Sequence, residues 1–259
     1  ALTAYAFLFS VALSVYCYEH LPILDFRPYS NGSNILKGME IPEDAEPDST
    51  VTTLTYSKNG VNKDFIFPDY PKNDSTWVFV DSKTEVVKKG YEPPIHDFTI
   101  DDSYEGDITD IVLANPSYTF LVVAYDFKYA DLTKADQLNK VYEFAKSNGY
   151  DFYALTASVD EEIEKFKQAT KATYPICLTD KITLKTIVRS NPGLVLIKDA
   201  TVINKWHVND LPEFVIPLEE SGLSEIPEPE WLKKIAIVTG LFLLGFIILI
   251  VFSQRWRKN

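Results

Sequence analysis

Cysteine is scarce in this chain, whose 259 residues contain only Cys17 and Cys177. Cys17 lies in an apolar N-terminal run and Cys177 far from it, so we expect no disulfide between them. The three histidines, His20, His96 and His207, are widely separated and lack the spacing of metal ligands. Neither a glycine-rich phosphate loop nor a Gly-x-Ser-x-Gly elbow occurs. The sequence therefore predicts no metal site and no cofactor.

Basic charge is also in deficit, with 25 Lys and Arg against 37 Asp and Glu. No charged residue precedes Glu19, and no acidic residue follows Glu230. The stretch between them has 20 basic and 37 acidic residues, a net charge of −17. Such a body excludes nucleic acid as a partner, because phosphates require a basic footprint. An anionic lipid surface would repel it as well.

Charge is missing altogether from two apolar runs. The run from Ile235 to Gln254 has 20 uncharged residues, which matches the ~20 needed to cross a hydrocarbon core of ~30 Å. The first 18 residues are also uncharged. A cleavable signal peptide would need a basic n-region, and a lipoprotein signal would need small residues where Val15 and Tyr16 precede Cys17. We interpret both runs as membrane helices, which makes membrane lipid a partner.

Two such helices would place both ends of the chain on one side of the membrane. The basic residues after 254 favour a cytoplasmic C-terminus. We therefore predict that residues 19–232 are periplasmic and that the protein resides in a bacterial cytoplasmic (inner) membrane. Because the chain begins with Ala1 and not with Met, we also expect protein sequence upstream of it.

The region before residue 95 is rich in predicted strands. Apolar alternation predicts strands at 51–56, 63–67, 77–80 and 84–88. Asn59-Gly60 between the first two is a strong hairpin signal. We place a second turn at 81–83, in Asp-Ser-Lys. The result is a small antiparallel unit, too thin to be stable by itself.

After residue 95 the pattern alternates between strands and helices. Apolar strands at 119–124 and 151–155 are separated by an amphipathic helix from Ala135 to Asn148. A second helix is predicted from Ser158 to Lys171, where Ser158 and Glu161 have the spacing of a capping box. Alternation of this kind indicates an α/β body around a central sheet.

Several short motifs in this α/β region resemble the thioredoxin superfamily, in its TlpA-like and peroxiredoxin-like branch. They are the entry strand Asp97-Phe98-Thr99-Ile100, the strand Tyr174-Pro175 before Asp180, and Asn191-Pro192 before the apolar run 194–197. The resemblance implies a three-layer α/β domain and a cis peptide bond at Asn191–Pro192. It also implies that the loop before Pro192 offers backbone groups to an extended peptide.

The chain as a whole is similar to bacterial membrane proteins in which a DoxX-like (MauE-like) helical bundle is followed by a thioredoxin-like domain. The apolar Tyr16-Cys17-Tyr18, which runs into His20-Leu21-Pro22, carries this resemblance. It implies that the first helix is the last one of such a bundle. The predicted organisation is then a transmembrane helix at 1–18, a β-rich segment at 19–94, a thioredoxin-like domain at 95–211, an acidic proline-rich tether at 212–232, a transmembrane helix at 233–254 and a basic tail at 255–259.

The thiol pair of the redox-active relatives is missing. In those relatives a Cys-x-x-Cys follows the first central strand, whereas residues 125–130 here read Tyr-Asp-Phe-Lys-Tyr-Ala. Cys177, the only possible thiol in this body, is flanked by Ile176 and Leu178, and we interpret it as a small buried hydrophobe. We interpret His96 beside Asp97 as a surface residue, and the acidic cluster at 101–110 as a solvated loop.

The chain therefore contains no catalytic motif. Our first hypothesis is a redox-inactive binding or assembly module that holds a protein partner near the membrane. Its candidate contact residues are Tyr125, Asp126, Asn191 and Pro192. The alternative is an accessory role in a DoxX-like membrane oxidoreductase that is linked to quinone or thiols. The sequence assigns no small-molecule substrate.

Overall fold

The computed structural model describes residues 2–213 and 231–256. The chain divides into two compact units, one formed by residues 39–96 and the other by 1–38 together with 97–259. The boundary differs from the predicted one at residue 19, because residues 20–38 belong to the larger unit. Most of the tether predicted at 212–232, and the end of the tail predicted at 255–259, lie outside the described residues.

The smaller unit is a three-stranded antiparallel sheet. Its strands are β1 (Ser49–Lys58), β2 (Val61–Ile66) and β3 (Val78–Lys88), in the order β2-β1-β3. The hairpin predicted at Asn59-Gly60 is confirmed, and both residues have the positive φ that this two-residue turn requires. Tyr56 of β1 contacts the rings of Phe65 and Phe79 across the sheet, at centroid distances of 6.0 and 5.6 Å.

The turn predicted at 81–83 is wrong. β3 continues without interruption through Asp81, Ser82 and Lys83, which pair with Thr55, Leu54 and Thr53 of β1. Every residue of β3 is exposed. Polar residues in an exposed edge strand have the same composition as a turn, so composition could not separate the two structures.

The larger unit contains a mixed sheet with the order β10-β9-β6-β7-β8-β4-β5. Strands β6, β7 and β8 are parallel, and β9 and β10 form an antiparallel hairpin beside β6. The strands are β4 (Asp101–Asp102), β5 (Gly106–Asp107), β6 (Tyr118–Ala124), β7 (Asp151–Thr156), β8 (Ile176–Leu178), β9 (Gly193–Lys198) and β10 (Thr201–His207). The helices are α1 (Leu2–Glu19), α2 (Ile35–Met39), α3 (Thr109–Leu113), α4 (Ala135–Ser147), α5 (Asp160–Thr170), α6 (Lys181–Ile187) and α7 (Trp231–Trp256).

Helices cover both faces of the central strands. Phe120, Val122 and Ala124 of β6 share one buried cluster with side chains of α4 and α5. The alternate residues Leu121 and Val123 are buried on the other face. Helix α6 contacts β6 and β7, and its buried side chains are not part of the first cluster. This arrangement confirms a mixed α/β body with three layers.

Two local expectations in this unit have different outcomes. The helix predicted at 135–148 is confirmed as α4, which buries Leu138 and Val141. The capping box predicted at Ser158 is wrong, because α5 begins at Asp160 and its N-cap residue, Val159, makes no side-chain cap bond. The predicted entry strand at 97–100 is irregular, and pairing begins only at β4.

Residues 20–38, which we call the strap, extend the sheet along β10. Gly32 N–H donates to Val202 O at 2.7 Å, and Val202 N–H donates to Ser33 O at 2.9 Å. Asn34 forms a β-bridge with Thr201. The strap therefore covers the open edge of β10 with backbone hydrogen bonds.

Helices α1 and α7 contact each other. The Tyr5 hydroxyl donates to Phe242 O at 3.2 Å, and the Phe9 and Phe242 rings have centroids 4.9 Å apart. Within the described residues, none of the helices combines the length and apolar character that a membrane crossing requires. The helices predicted at 1–18 and 233–254 are present, but the membrane spans predicted there are unsupported.

Candidate functional site

The turn after β6 occupies the position where the resemblance places a thiol pair. It contains a single 3-10 turn, Phe127–Tyr129, and begins at Asp126, whose carboxylate accepts from Lys128 N–H at 3.2 Å. Two anchors fix the turn from below. Phe127 is buried and stacks on Phe166 of α5 at a centroid distance of 3.9 Å. Phe127 N–H donates to Ser158 Oγ at 2.8 Å, which explains why that hydroxyl does not cap α5.

The loop before β9 lies directly against this turn. The Asn191–Pro192 peptide bond is cis, as the resemblance implied. Asn191 Nδ2 donates to Asp126 O at 2.7 Å, and Asp131 N–H donates to Asn191 O at 2.8 Å. We call these two bonds the clasp. The clasp brings together three of the predicted contact residues, Asp126, Asn191 and Pro192, and uses the Asn191 carbonyl inside the protein.

The fourth predicted residue, Tyr125, lies under a cation. Lys185 Nζ is 5.0 Å from the centroid of the Tyr125 ring. A second lysine of α6, Lys181, forms an ion pair with Asp126 at 2.7 Å. The hydrogen bond from Lys181 holds the pKa of Asp126 below its ordinary value, and the same bond raises the pKa of Lys181. Asp126 is therefore a fixed anion and is unsuited to the role of a general acid near neutral pH.

Cys177 is inaccessible in the larger unit. It lies on β8 opposite Leu155 of β7, fully buried, with its Sγ 3.8 Å from Asp102 Oδ2. Burial, together with the negative charge of Asp102, raises the pKa of the thiol to about 12. A thiolate is the species that attacks disulfides, so this environment suppresses thiol exchange.

Three large apolar side chains are exposed next to the anchors of the turn. Tyr129 is 68% exposed, Val159 66% and Ile182 76%. Tyr129 is on the turn itself, Val159 follows Ser158, and Ile182 follows Lys181. Sequence reasoning missed this set because the three residues come from separate segments. Ser158, next to Val159, is bonded to Phe127, and Lys181, next to Ile182, is paired with Asp126. These bonds bring the three exposed side chains to the same end of the sheet.

The three histidines do not meet at one site, although His207 lies near both His20 and Asp210. His20 Nδ1 is 2.7 Å from Asp210 Oδ1, and His96 lies near Glu92. His207 Nδ1 accepts from Asn209 N–H, and burial lowers the pKa of His207. In the part of the chain that the structure describes, no three His, Cys, Asp or Glu residues are placed to hold a metal ion.

The acidic cluster at 101–110 stabilises its own loop. Asp102 accepts from the backbone N–H groups of Tyr104 and Glu105, and Asp107 accepts from Thr109 N–H. These backbone bonds lower the pKa of Asp102, and bonds from Thr109 lower that of Asp107. Their carboxylates therefore act as local turn caps.

The strand order and the cis proline agree with the resemblance found in the sequence. Three parallel strands, an antiparallel hairpin and helices on both faces surround the turn at 125–130. The larger unit is a mixed α/β body, and these features are the ones that the resemblance implied.

Comparisons with known proteins give matches to separate parts of the chain. A family model described as a domain of unknown function, DUF8463, matches residues 50–89, which contain most of β1 and all of β2 and β3. A search of curated proteins finds no match.

Solved structures resemble part of the chain at low sequence identity. A putative protein disulfide isomerase from Bacteroides thetaiotaomicron is 16% identical, with 44% of this chain and 76% of that one covered and a TM-score of 0.35. The thioredoxin domain of a thiol-disulfide oxidoreductase from Bacteroides vulgatus is 15% identical, with 42% and 81% covered and a TM-score of 0.34. StoA from Bacillus subtilis is 18% identical, with 42% and 84% covered and a TM-score of 0.32.

Proposed function

We propose that this protein is a membrane-anchored binding module that holds an extended segment of a protein partner without thiol chemistry. The observation that carries the proposal is the clasp. The position at which a thiol pair would stand is closed by hydrogen bonds between Asp126, Asp131 and Asn191. A turn fixed in this way is a rigid surface element without a thiol.

The environment of Cys177 supports redox inactivity of the α/β body. Thiol exchange needs an attacking thiolate and access to it. Cys177 has neither, because it is buried and its pKa is raised to about 12. At neutral pH a thiol with that pKa is protonated in nearly every molecule.

The exposed apolar set around the turn supports docking of a polypeptide. Tyr129, Val159 and Ile182 offer apolar area beside a rigid loop, and buried aromatic and aliphatic contacts dominate protein recognition. The clasp engages the side chain and carbonyl of Asn191 within the protein, so we assign most of the contact to these three residues. Tyr125, Asp126, Asn191 and Pro192 form the fixed floor of the proposed site.

Binding of a thiol-free polypeptide tests this proposal. Reduced and alkylated insulin B chain is the probe, because alkylation removes its capacity for exchange. We expect the full chain in detergent to bind it, and Ile182→Asp to weaken the affinity about tenfold, since a charge replaces an apolar contact. Binding is measured by fluorescence anisotropy of the labelled probe.

The matched control is Tyr104→Asp, which introduces the same charge at a residue that is 95% exposed on the β4–β5 hairpin. This variant should bind like the parent chain. Equal weakening by both variants would argue against a site at the turn. Reduction of intact insulin by the parent chain would instead favour the oxidoreductase-linked alternative.

The membrane anchor of this proposal is the pair formed by α1 and α7. Exposed side chains of this pair are largely apolar, and they include Phe7, Leu8, Leu241, Leu244 and Ile247. The hydroxyls of Ser10 and Ser14 donate to carbonyls of their own helix, at 2.9 and 2.8 Å. Polar groups that are satisfied within one helix suit an apolar solvent such as the interior of a bilayer.

Close packing supports the view that the two helices insert together. A Cβ added at Gly245 would lie 2.2 Å from the Tyr5 hydroxyl, so α1 approaches α7 at a residue with no side chain. Small residues at such crossings are typical of helix pairs in lipid. We further propose that α1 belongs to a DoxX-like bundle, that residues 19–232 are periplasmic and that the membrane is the cytoplasmic one.

Vesicle flotation tests the anchor. We expect the full chain to float with phosphatidylcholine vesicles, and Leu8→Lys combined with Leu244→Lys to reduce the floated fraction severalfold, because a buried lysine costs ~3 kcal/mol at the centre of a bilayer. Tyr104→Lys is the control on the α/β body and should float normally. If the double variant floats as the parent does, the helix pair is not the anchor.

A further inference from the structure

Strand β3 is an open edge of the sheet in the smaller unit. It is the last strand in the order β2-β1-β3, so its outer backbone groups have no strand partner in the sheet. It is 11 residues long, all of its residues are exposed, and its pairing with β1 is regular from residue 81 to residue 86. Val78 and Val87, near its ends, are 65% and 61% exposed. A long edge with apolar side chains on both faces is a template for pairing with another strand.

Three of the four charged residues of β3 lie at its centre, and the fourth, Lys88, ends the strand. Asp81, Lys83 and Glu85 alternate along one face, and Lys83 Nζ is 2.5 Å from Glu85 Oε1. Valines flank this centre on both sides, with Val78 and Val80 before it and Val86 and Val87 after it. Charged side chains in an edge strand oppose its pairing with most other strands. A partner strand that places an opposite charge across from each of them is favoured instead, and the charges then fix the register of the pair.

We infer that the partner of this edge is a second copy of the chain, joined through antiparallel β3–β3 pairing about a two-fold axis at Ser82. This register places Asp81 of each copy opposite Lys83 of the other, within the regularly paired segment 81–86. The charge pattern thus forms two complementary pairs about the axis. The two three-stranded sheets become one six-stranded sheet, in which β3 is no longer an edge.

Charge order selects this register over its neighbour centred one residue along. A two-fold axis at Lys83 would place that lysine opposite itself and Asp81 opposite Glu85 of the second copy. Like charges that face each other directly across two strands are destabilising.

The second edge of the sheet offers a weaker template. Strand β2 has only six residues, and Lys63 and Asp64 are adjacent within it. It therefore presents less than two thirds of the length of β3. Lys63 on this edge provides a matched control position.

Charge reversal in the full chain tests the pairing. We expect the parent chain in detergent to show a concentration-dependent monomer–dimer equilibrium by sedimentation velocity. Lys83→Glu should raise the dimer dissociation constant about tenfold or more, because each of its two cross-copy pairs becomes repulsive. The combination Asp81→Lys with Lys83→Glu should restore dimerisation, since it re-creates both pairs with the signs exchanged.

Lys63→Glu is the control and should dimerise like the parent chain. A parent chain that stays monomeric at all concentrations overturns the inference. So does a double variant that stays as weak as Lys83→Glu, because restoration is specific to cross-copy charge pairs. Each variant is compared by circular dichroism, so that a misfolded sheet is recognised as such.

Cross-linking at the axis provides a second measurement. Ser82→Cys in a Cys17→Ser background places two thiols directly opposite each other, at the ~4.5–5.5 Å Cβ separation of facing residues. Mild oxidation should link the copies within minutes, whereas Asn62→Cys on β2 should remain largely monomeric. Faster linking through Asn62→Cys than through Ser82→Cys would place the interface on the other edge and overturn the inference.

Discussion

Replacing Asp25 with alanine should destabilise the chain by about 3–5 kcal/mol, because it leaves Lys205 buried without its carboxylate. Asp25 Oδ2 contacts Lys205 Nζ, and the side chain of Lys205 is only 3% exposed. The ammonium has one other partner nearby, Ile187 O at 3.1 Å. A carbonyl oxygen does not neutralise the charge, so most of the desolvation cost stays uncompensated after the substitution.

The pair joins the strap to the sheet. Arg27 Nε donates to Asp25 Oδ1 at 2.7 Å, so one carboxylate holds two cations. Burial alone would raise the pKa of Asp25, but the hydrogen bonds from Arg27 and Lys205 outweigh it and lower that pKa to about 2. Burial lowers the pKa of Lys205, which means that desolvation of the ammonium outweighs the attraction of Asp25. Joint removal of both partners should therefore cost much less than removal of Asp25 alone.

The direction of the Asp25 shift sets the pH dependence. A carboxylate whose pKa is lower in the folded state stabilises the fold above its ordinary value of 3.8, and this contribution is lost as the pH falls towards 2. The parent chain should therefore lose stability between about pH 4 and pH 2. Asp25→Ala should show a shallower loss over that interval.

Urea unfolding followed by tryptophan fluorescence measures these differences. Asp25→Ala combined with Lys205→Met should recover most of the lost free energy of unfolding, because the methionine stem fills the same space without charge. Glu161→Ala, which breaks the exposed pair with Lys165, is the control and should change the free energy of unfolding little, because solvent screens the pair. A cost for Asp25→Ala no larger than the control would contradict the buried-charge argument.

Features that depend on residues close together in the sequence could be predicted, whereas contacts between residues far apart in the sequence could not. The Asn59-Gly60 hairpin and helix α4 depend on neighbouring residues, and both are present as expected. Asp25 and Lys205 are 180 residues apart, and no local pattern signals their contact. In the sequence Asp25 cannot be distinguished from an aspartate in an exposed loop, because only the position of the strap along β10 brings it to Lys205.

Competition between local and distant partners accounts for the errors. Ser158 has capping-box spacing, but its hydroxyl accepts from Phe127 N–H, 31 residues away. The clasp between Asn191 and Asp126 spans 65 residues. The sequence analysis selected Asp126 and Asn191 as contact residues, but which atoms of Asn191 remain available could be known only from the structure.

Replacing Phe127 with alanine should cost about 3–5 kcal/mol, the range for truncating a buried aromatic side chain. Phe127 is the one buried residue of its 3-10 turn, and its ring lies nearly parallel to that of Phe166, with an interplanar angle of 13°. The stack fills the space beneath the turn. Its loss leaves a cavity between the turn and α5, since the fixed ends of β6 and α5 limit collapse.

The effect should include local loosening of the site as well as lower global stability. The Asp131 N–H, which donates to Asn191 O, should exchange with solvent faster in Phe127→Ala than global unfolding alone explains, because the clasp loses its support. Urea unfolding gives the global value, and hydrogen exchange of that amide gives the local one. Tyr129→Ala on the same turn is the control, and its exposed ring should contribute less than ~0.5 kcal/mol.

A conservative replacement separates packing from aromatic stacking. Phe127→Leu retains most of the buried volume, so it should recover more than half of the loss if cavity formation is its main cause. The clasp should then be protected from exchange almost as in the parent chain. If Phe127→Ala destabilises no more than Tyr129→Ala, the turn is held by its hydrogen bonds alone. In that case the hydrogen bonds of Asn191 and Ser158, and not the Phe127–Phe166 stack, fix the turn at 125–130.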